Sequence, residues 1–229
     1  MIDINHTFDL LKIKFYAEYL YMAHVEDEGE SSFHKDMTKS IVEKYIDSLN
    51  IAKDTKILDL GCGPGYFLDL MRDRGYTDLT GVTLSPGDLK IARDKGHTVK
   101  QLDMSFLPQT DGYHDESVGF IFLRHALEHS PFPIFTLMEY NRVLVQGAKM
   151  YIEVPAPDCE RKLERMSNHY SIMGVEQLAA LLRRTGFRID KFEIITVDIG
   201  VPDANKEIKN YKENYYCIVV TKDRPLDIK

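Results

Sequence analysis

Glycines at positions 61, 63 and 65 follow the apolar run Ile57-Leu58-Asp59-Leu60 and precede a stripe of Phe67, Leu68, Leu70 and Met71. Glycine tolerates positive φ and lets backbone N–H groups approach a bound molecule. The spacing therefore predicts a buried strand that breaks into a ligand-cradling loop and then a helix. The positive end of that helix suits a carboxylate or phosphate, and Gly75 is its expected stop. A second reactive set, Arg124, His125 and His129, lies just beyond the apolar run Val118–Leu123. Imidazoles titrate near neutral pH and can take a proton from an acceptor, although both histidines could equally hydrogen-bond the loop backbone. A third set, Cys159, Arg161, Lys162, Arg165, His169 and Tyr170, gathers donors and titrating groups between residues 156 and 173. Most of those charges would pair along a solvent-facing helix, with His169 and Tyr170 left as substrate-side candidates.

The elements that must position these residues follow from periodicity. Residues 4–23 read as a helix, with Phe8, Leu11, Phe15, Tyr19 and Met22 at three- and four-residue steps, and 26–32 as an acidic, solvated loop. A second helix spans Phe33 to Leu49 and stops at Asn50. Strands are expected at Leu79–Leu84, Thr98–Leu102, Val118–Leu123 and Met150–Val154, with helices after the first, second and fourth. The helix over Gly87–Lys95 follows the second strand; Ser130 and Pro131 should open the one after the fourth, and Gly147 should end it. A helix over Val175–Thr185 precedes strands at Phe187–Val197 and Tyr215–Thr221, joined without a convincing helix. The expected fold is α/β: a Rossmann-like, seven-stranded, mostly parallel sheet with an antiparallel last strand and helices on both faces. An N-terminal helical extension over 1–52 precedes the main domain of 53–229, with 156–173 as an insertion on the substrate side.

Composition narrows the function classes. A chain of 229 residues, 44% hydrophobic, can bury one substantial core. Its net charge of −7 offers no broad cationic surface, so no nucleic-acid partner is expected, and with no uninterrupted apolar run of membrane-spanning length no membrane partner is expected either. Three cysteines, Cys62, Cys159 and Cys217, without a C-x-x-C pair fit a reducing, cytoplasmic setting with no zinc site. A dinucleotide fold would want G-x-G-x-x-G and a ribose-binding acid about 20 residues on. Tyr66 and Thr83 stand at those places, which disfavours a nicotinamide oxidoreductase.

The pattern Asp59-x-Gly61-x-Gly63-x-Gly65 instead resembles motif I of the class I S-adenosylmethionine (SAM) dependent methyltransferases. Asp103-Met104 after the third strand and Leu127-Glu128-His129 after the fourth extend that resemblance in order along roughly Lys53–Thr221. It implies SAM as cofactor, S-adenosylhomocysteine as product and no metal. Asp59, Gly61, Cys62, Gly63 and Gly65 would then meet the methionine part, Thr83 and Leu84 the ribose side, Asp103 and Met104 the adenine, and Arg124 and His125 the methyl end. Thr83 departs from the acid that most relatives carry. The wording Gly81-Val82-Thr83-Leu84-Ser85 is similar to cyclopropane synthase-like members. The resulting expectation is methyl transfer to O, N or C of a small or medium-sized metabolite, with His125 as first candidate base and His129 as second. The alternative is a non-catalytic protein that binds SAM or its product for regulation or assembly.

Overall fold

The computed structural model describes residues 27–202 and 206–226, so the helix expected over 4–23 lies outside the described residues. Helix α1 (Ser32–Ile41) is capped by Ser31, whose hydroxyl accepts from the His34 N–H at 3.3 Å. Its path continues through a wide turn at Val42–Ile46 and a tight turn at Asp47–Leu49 before stopping, as expected, at Asn50 in the left-handed region. Strand β1 (Ile57–Leu60) leads to α2 (Tyr66–Asp73), β2 (Leu79–Thr83), α3 (Pro86–Asp94) and β3 (Val99–Gln101). Then come β4 (Val118–Arg124), α4 (Pro133–Val143), β5 (Leu144–Pro155), α5 (Val175–Arg184), β6 (Phe187–Pro202) and β7 (Ile208–Lys222).

The strands form one seven-stranded sheet in the order β3-β2-β1-β4-β5-β7-β6. Strands β1 to β5 pair in parallel, and β7 runs antiparallel to both β5 and β6. Alternation along each central strand sends side chains into two separate cores, as a sheet covered on both faces requires. Leu58, Leu60, Ile121, Leu123, Met150 and Ile152 pack on the α4 and α5 side. Ile57, Phe120, Phe122 and Tyr151 pack on the side of α1, α2 and α3. There Phe122 stacks on Phe67 at 3.9 Å and 2°, and on Tyr151 at 5.3 Å and 15°; Tyr45 then meets Tyr151 at 5.4 Å.

Four boundaries depart from expectation. Helix α4 begins at Pro133 rather than at Pro131, because the Ser130 hydroxyl is used by the Phe132 N–H and by Thr136 in a turn ahead of the helix. It ends at Val143, and Gly147 lies instead in β5 at φ 80, next to a break in the β4–β5 register. The connection expected over 198–214 is mostly strand: β6 and β7 remain paired out to Pro202↔Ile208. The 156–173 segment carries only a short turn at Leu163–Arg165; Lys162 meets Asp158 within it at 3.4 Å, and two other charged side chains bond to β7. Arg161 reaches Glu213 at 3.1 Å, and Glu160 accepts from the Lys212 N–H at 2.7 Å. For Arg161 and Glu160 a sheet neighbour replaces the partner that a helix would supply.

Because Phe122 joins α2, β4 and β5 in one aromatic stack, Phe122→Ala should lower unfolding free energy by about 3–5 kcal/mol, the range for a buried aromatic truncated to alanine. Denaturant titration checks this. A loss under about 1 kcal/mol would mean that the stack contributes little beyond what the neighbours recover by closing the gap.

Candidate cofactor and acceptor site

The carboxyl ends of β1 to β4 surround a cleft of about 210 Å³, at the point where the sheet order reverses between β1 and β4. Open α/β sheets bind ligands there. Its floor is the glycine loop. Gly61 lies at φ 78, where an added Cβ would come within 2.6 Å of Ala126 Cβ, so the loops after β1 and β4 close on each other only because that side chain is absent. Gly63, at φ 48, faces the cleft, and its Cβ position is 2.6 Å from Glu28 Oε2.

Several expected residues line this space: Gly61, Gly63, Thr83, Leu84, Asp103, Met104, His125 and His129. Others do not. Asp59 is buried behind the loop, where burial and the nearby Glu28 push its carboxyl well above the usual range. Cys62 turns into the core below Gly81, Gly65 opens α2 from a left-handed N-cap, and Arg124 is drawn toward Glu153. Tyr170 holds the loop through its backbone, its N–H donating to the Glu128 carbonyl at 2.7 Å.

Asp103 is poised for a donor. Its Oδ1 accepts from the Ser105 N–H at 2.8 Å, whereas its buried Oδ2 has no partner. A ligand amino group would satisfy that oxygen, and Met104, Leu102 and Leu84 beside it supply apolar surface. Thr83 is partly committed, since its hydroxyl accepts from the Ser85 N–H at 3.1 Å.

The two histidines differ sharply. His125 lies between carboxylates, with Nε2 3.0 Å from Glu153 and Nδ1 3.4 Å from Glu128. Burial alone would lower its pKa, but the bonds to Glu128 and Glu153 outweigh that and raise it to about 9. Burial likewise opposes ionisation of Glu153, yet Arg124 and His125 hold it at about 2. His125 is therefore an imidazolium near neutral pH, with both ring nitrogens occupied. His129 instead places Nδ1 2.9 Å from the Asn168 carbonyl, an acceptor that calls for the proton on Nδ1, so that in the neutral ring the lone pair is on Nε2. His169 packs edge-on against it at 4.8 Å. Glu128, His129 and His169 bring possible ligand atoms within 4.8 Å of one another.

Sequence reading missed three groups that line the cleft: Glu28, Asp88 and Asn168. The acidic 26–32 run looked solvated, but its described part is strapped to the domain. Asp27 accepts from Ser85 Oγ at 2.5 Å and from the Gly87 N–H at 3.1 Å, while Asp88 accepts from the N–H groups of Glu28 and Gly29, each at 2.9 Å. These contacts span about 60 residues of chain and leave no local pattern; the one available signal was the acid Asp88 at the start of α3.

This fold, with a glycine loop and an unpaired acid at the third strand tip of its cleft, is that of the class I SAM-dependent methyltransferases. Residues 33–191 match the family described as "Methyltransferase domain", and the chain belongs to it. SAM, spent as S-adenosylhomocysteine, is the cofactor of that family. Among curated relatives, a 27-O-demethylrifamycin SV methyltransferase of Amycolatopsis mediterranei is 23% identical over 82% of this chain and 73% of its own length. A tRNA U34 carboxymethyltransferase of Hydrogenovibrio crunogenus is 29% identical over 69% of this chain, which spans about half (51%) of that relative. Among solved structures, a Haloferax volcanii methyltransferase in complex with the Trm112 methyltransferase activator superposes with a TM-score of 0.70 at 20% identity, covering 93% of this chain and 98% of that one.

These findings overturn the expectation of a small-molecule acceptor with no nucleic acid, since relatives named for tRNA and a neighbour assembled with a protein activator stand beside the rifamycin enzyme. The physical reason is that net charge averages over the whole surface, whereas a structured RNA can be held by a local patch and by stacking. Among the described residues no helix is long and apolar enough to cross a membrane.

The His125 pair gives a pH signature. A pKa raised from 6.5 to about 9 in the folded state corresponds to about 3 kcal/mol of stability, present in full below pH 6.5 and lost as pH rises through 9. Urea unfolding at pH 6 and pH 10 should show that loss in the parent protein and not in His125→Asn, a change compatible with the left-handed backbone at φ 48. Equal pH dependence in both proteins would mean that His125 is not charged by its two carboxylates.

Proposed function

We propose that this chain catalyses methyl transfer from SAM bound in the cleft to an O, N or C nucleophile presented beside His129. The observation that carries this reading is the buried, unpartnered Oδ2 of Asp103, an acceptor left open in the cleft. In this reading Asp103 takes the adenine amino group, Met104 and Leu84 flank the ring, and the backbone of Gly61 and Gly63 lies along the methionine part. Bound SAM would supply an electrophilic methyl group on a sulfonium.

The protein's own task is then to position the nucleophile, exclude water and take up a proton where the acceptor carries one. His129 suits that last role through its free Nε2, and His125 does not, because its imidazole is already protonated and clamped. His125 instead holds the β4 tip in place. The acidic lining of Glu28, Asp88 and Asp103 favours a cationic ligand. Residues 1–52 act in this reading as a cap, 53–229 as the SAM-binding domain, and 156–173 as the acceptor-side cover that contributes Asn168, His169 and Tyr170.

Calorimetry with SAM and S-adenosylhomocysteine tests the cofactor, and transfer of labelled methyl to a panel of hydroxylated metabolites and tRNA tests the acceptor. Binding of NADH in place of both would reject the reading, and tight SAM binding without transfer to any acceptor would favour a non-catalytic binding protein. Asp103→Ala should weaken SAM by about 1–3 kcal/mol, the cost of a hydrogen bond to a charged partner.

His129→Ala should leave SAM affinity almost unchanged and cut turnover by roughly 10²–10⁴, the contribution of a general base. Full turnover in that variant would mean that positioning alone carries the chemistry, and a turnover loss that follows lost SAM affinity would make His129 structural.

A further inference from the structure

We infer that Glu28, on the strap that crosses the cleft, is the carboxylate that receives the α-ammonium group of the cofactor's methionine end. This assignment rests on the SAM reading above. The strap is built rather than loosely draped. Asp27 caps the start of α3, Asp88 holds two successive backbone N–H groups, and the Tyr66 hydroxyl accepts from the Ser31 N–H and donates to the Gly29 carbonyl at 3.3 Å. These bonds fix the backbone on both sides of Glu28 and aim its side chain at the glycine loop.

There Glu28 Oε2 stands 2.6 Å from the point that a Cβ on Gly63 would occupy. The other acids near that point are otherwise engaged. Both Asp88 oxygens accept from the strap, and Asp59 is buried and does not line the cleft. Asp103 has a free oxygen, but it lies at the tip of β3, the far side of the cleft from the glycine loop, where the adenine amino group is placed. Glu28 is the cleft-lining acid beside the loop whose carboxylate is not taken by a backbone N–H; His34 Nδ1 stands 3.5 Å away, but burial lowers that imidazole's pKa to about 4 and keeps it neutral. Its surroundings also call for a cation. Burial pushes the Glu28 carboxyl up, and Asp88 adds to that, while Arg124 and His125 oppose it; an arriving ammonium would add to the groups that favour the charged form. The family match begins at residue 33, so Glu28 lies outside the matched residues.

Three ligands separate this role from its rivals. SAM and S-adenosylhomocysteine both carry the ammonium, whereas 5′-methylthioadenosine keeps the adenosine and thioether and lacks the amino-acid end. In calorimetry Glu28→Gln, an isosteric change at a cleft-facing side chain, should weaken SAM and S-adenosylhomocysteine by about 10- to 100-fold, the range for a lost charge-assisted hydrogen bond, and leave 5′-methylthioadenosine unchanged. Thermal unfolding of the variant within a degree or two of the parent shows that the strap stays docked. Equal weakening of all three ligands would overturn the assignment in favour of ribose contact or a structural role. Tighter binding of all three would overturn it in favour of a carboxylate that merely plugs the empty cleft, and unchanged affinities would remove Glu28 from recognition. If the parent protein binds none of the three, the SAM reading fails and this assignment with it. Parent binding that survives Glu28→Gln intact sinks only the assignment.

Discussion

The carboxylate of Glu153 is fully buried, and the arrangement of the site depends on keeping it charged there. It accepts from Arg124 Nε at 2.9 Å and from the Tyr151 hydroxyl at 2.8 Å, with His125 Nε2 at 3.0 Å. Desolvating a carboxylate costs several kcal/mol, and only close, well-directed partners offset it. The consequence is geometric: Arg124 and His125, at the end of β4, cannot drift without leaving a buried charge unpaired. His125 accordingly accepts a left-handed backbone, its own N–H donating to the Glu153 carbonyl at 2.9 Å. The chain turns there, and the 127–129 turn that follows sets His129 at the cleft.

A second constraint acts from the opposite wall. Helix α3 presents free N–H groups at its start, satisfied here by Ser85 on Asp88 and by Asp27 on Gly87. One helix terminus therefore both closes its own hydrogen-bond deficit and anchors a segment some 60 residues away in sequence. The cleft lies between two kinds of rigidity, an ion network on the β4 side and a capped helix on the β2 side. The glycine loop between them faces the cleft with Gly61 and Gly63, which carry no side chains.

What the sequence made legible was local. The β1–glycine–α2 unit, the Asn50 stop and the antiparallel final strand follow from residues within a turn or two of one another, and each lies where periodicity and turn chemistry put it. Asp103 was found for the same reason, as the residue at a strand tip. What stayed hidden depends on partners far along the chain. Ser130 reads as a helix cap until Thr136 and Ser105 claim its neighbourhood, and an acidic stretch reads as solvated until buried Asp88 meets its backbone. His125 and His129 look equivalent by position, and only the structure shows two carboxylates on one and a backbone carbonyl on the other.

The place of β7 between β5 and β6 sets an order on the making of the protein. Until residues 208–222 have been synthesised, β5 is a sheet edge on that side, and the Glu153 position that faces Cys217 in register stands open to water. Water would share the carboxylate's hydrogen bonds and weaken its hold on Arg124 and His125. The glycine loop and every strand tip around the cleft leave the ribosome before that strand does. This site is thus assembled early in outline and becomes electrostatically complete only with the last strand added to the sheet.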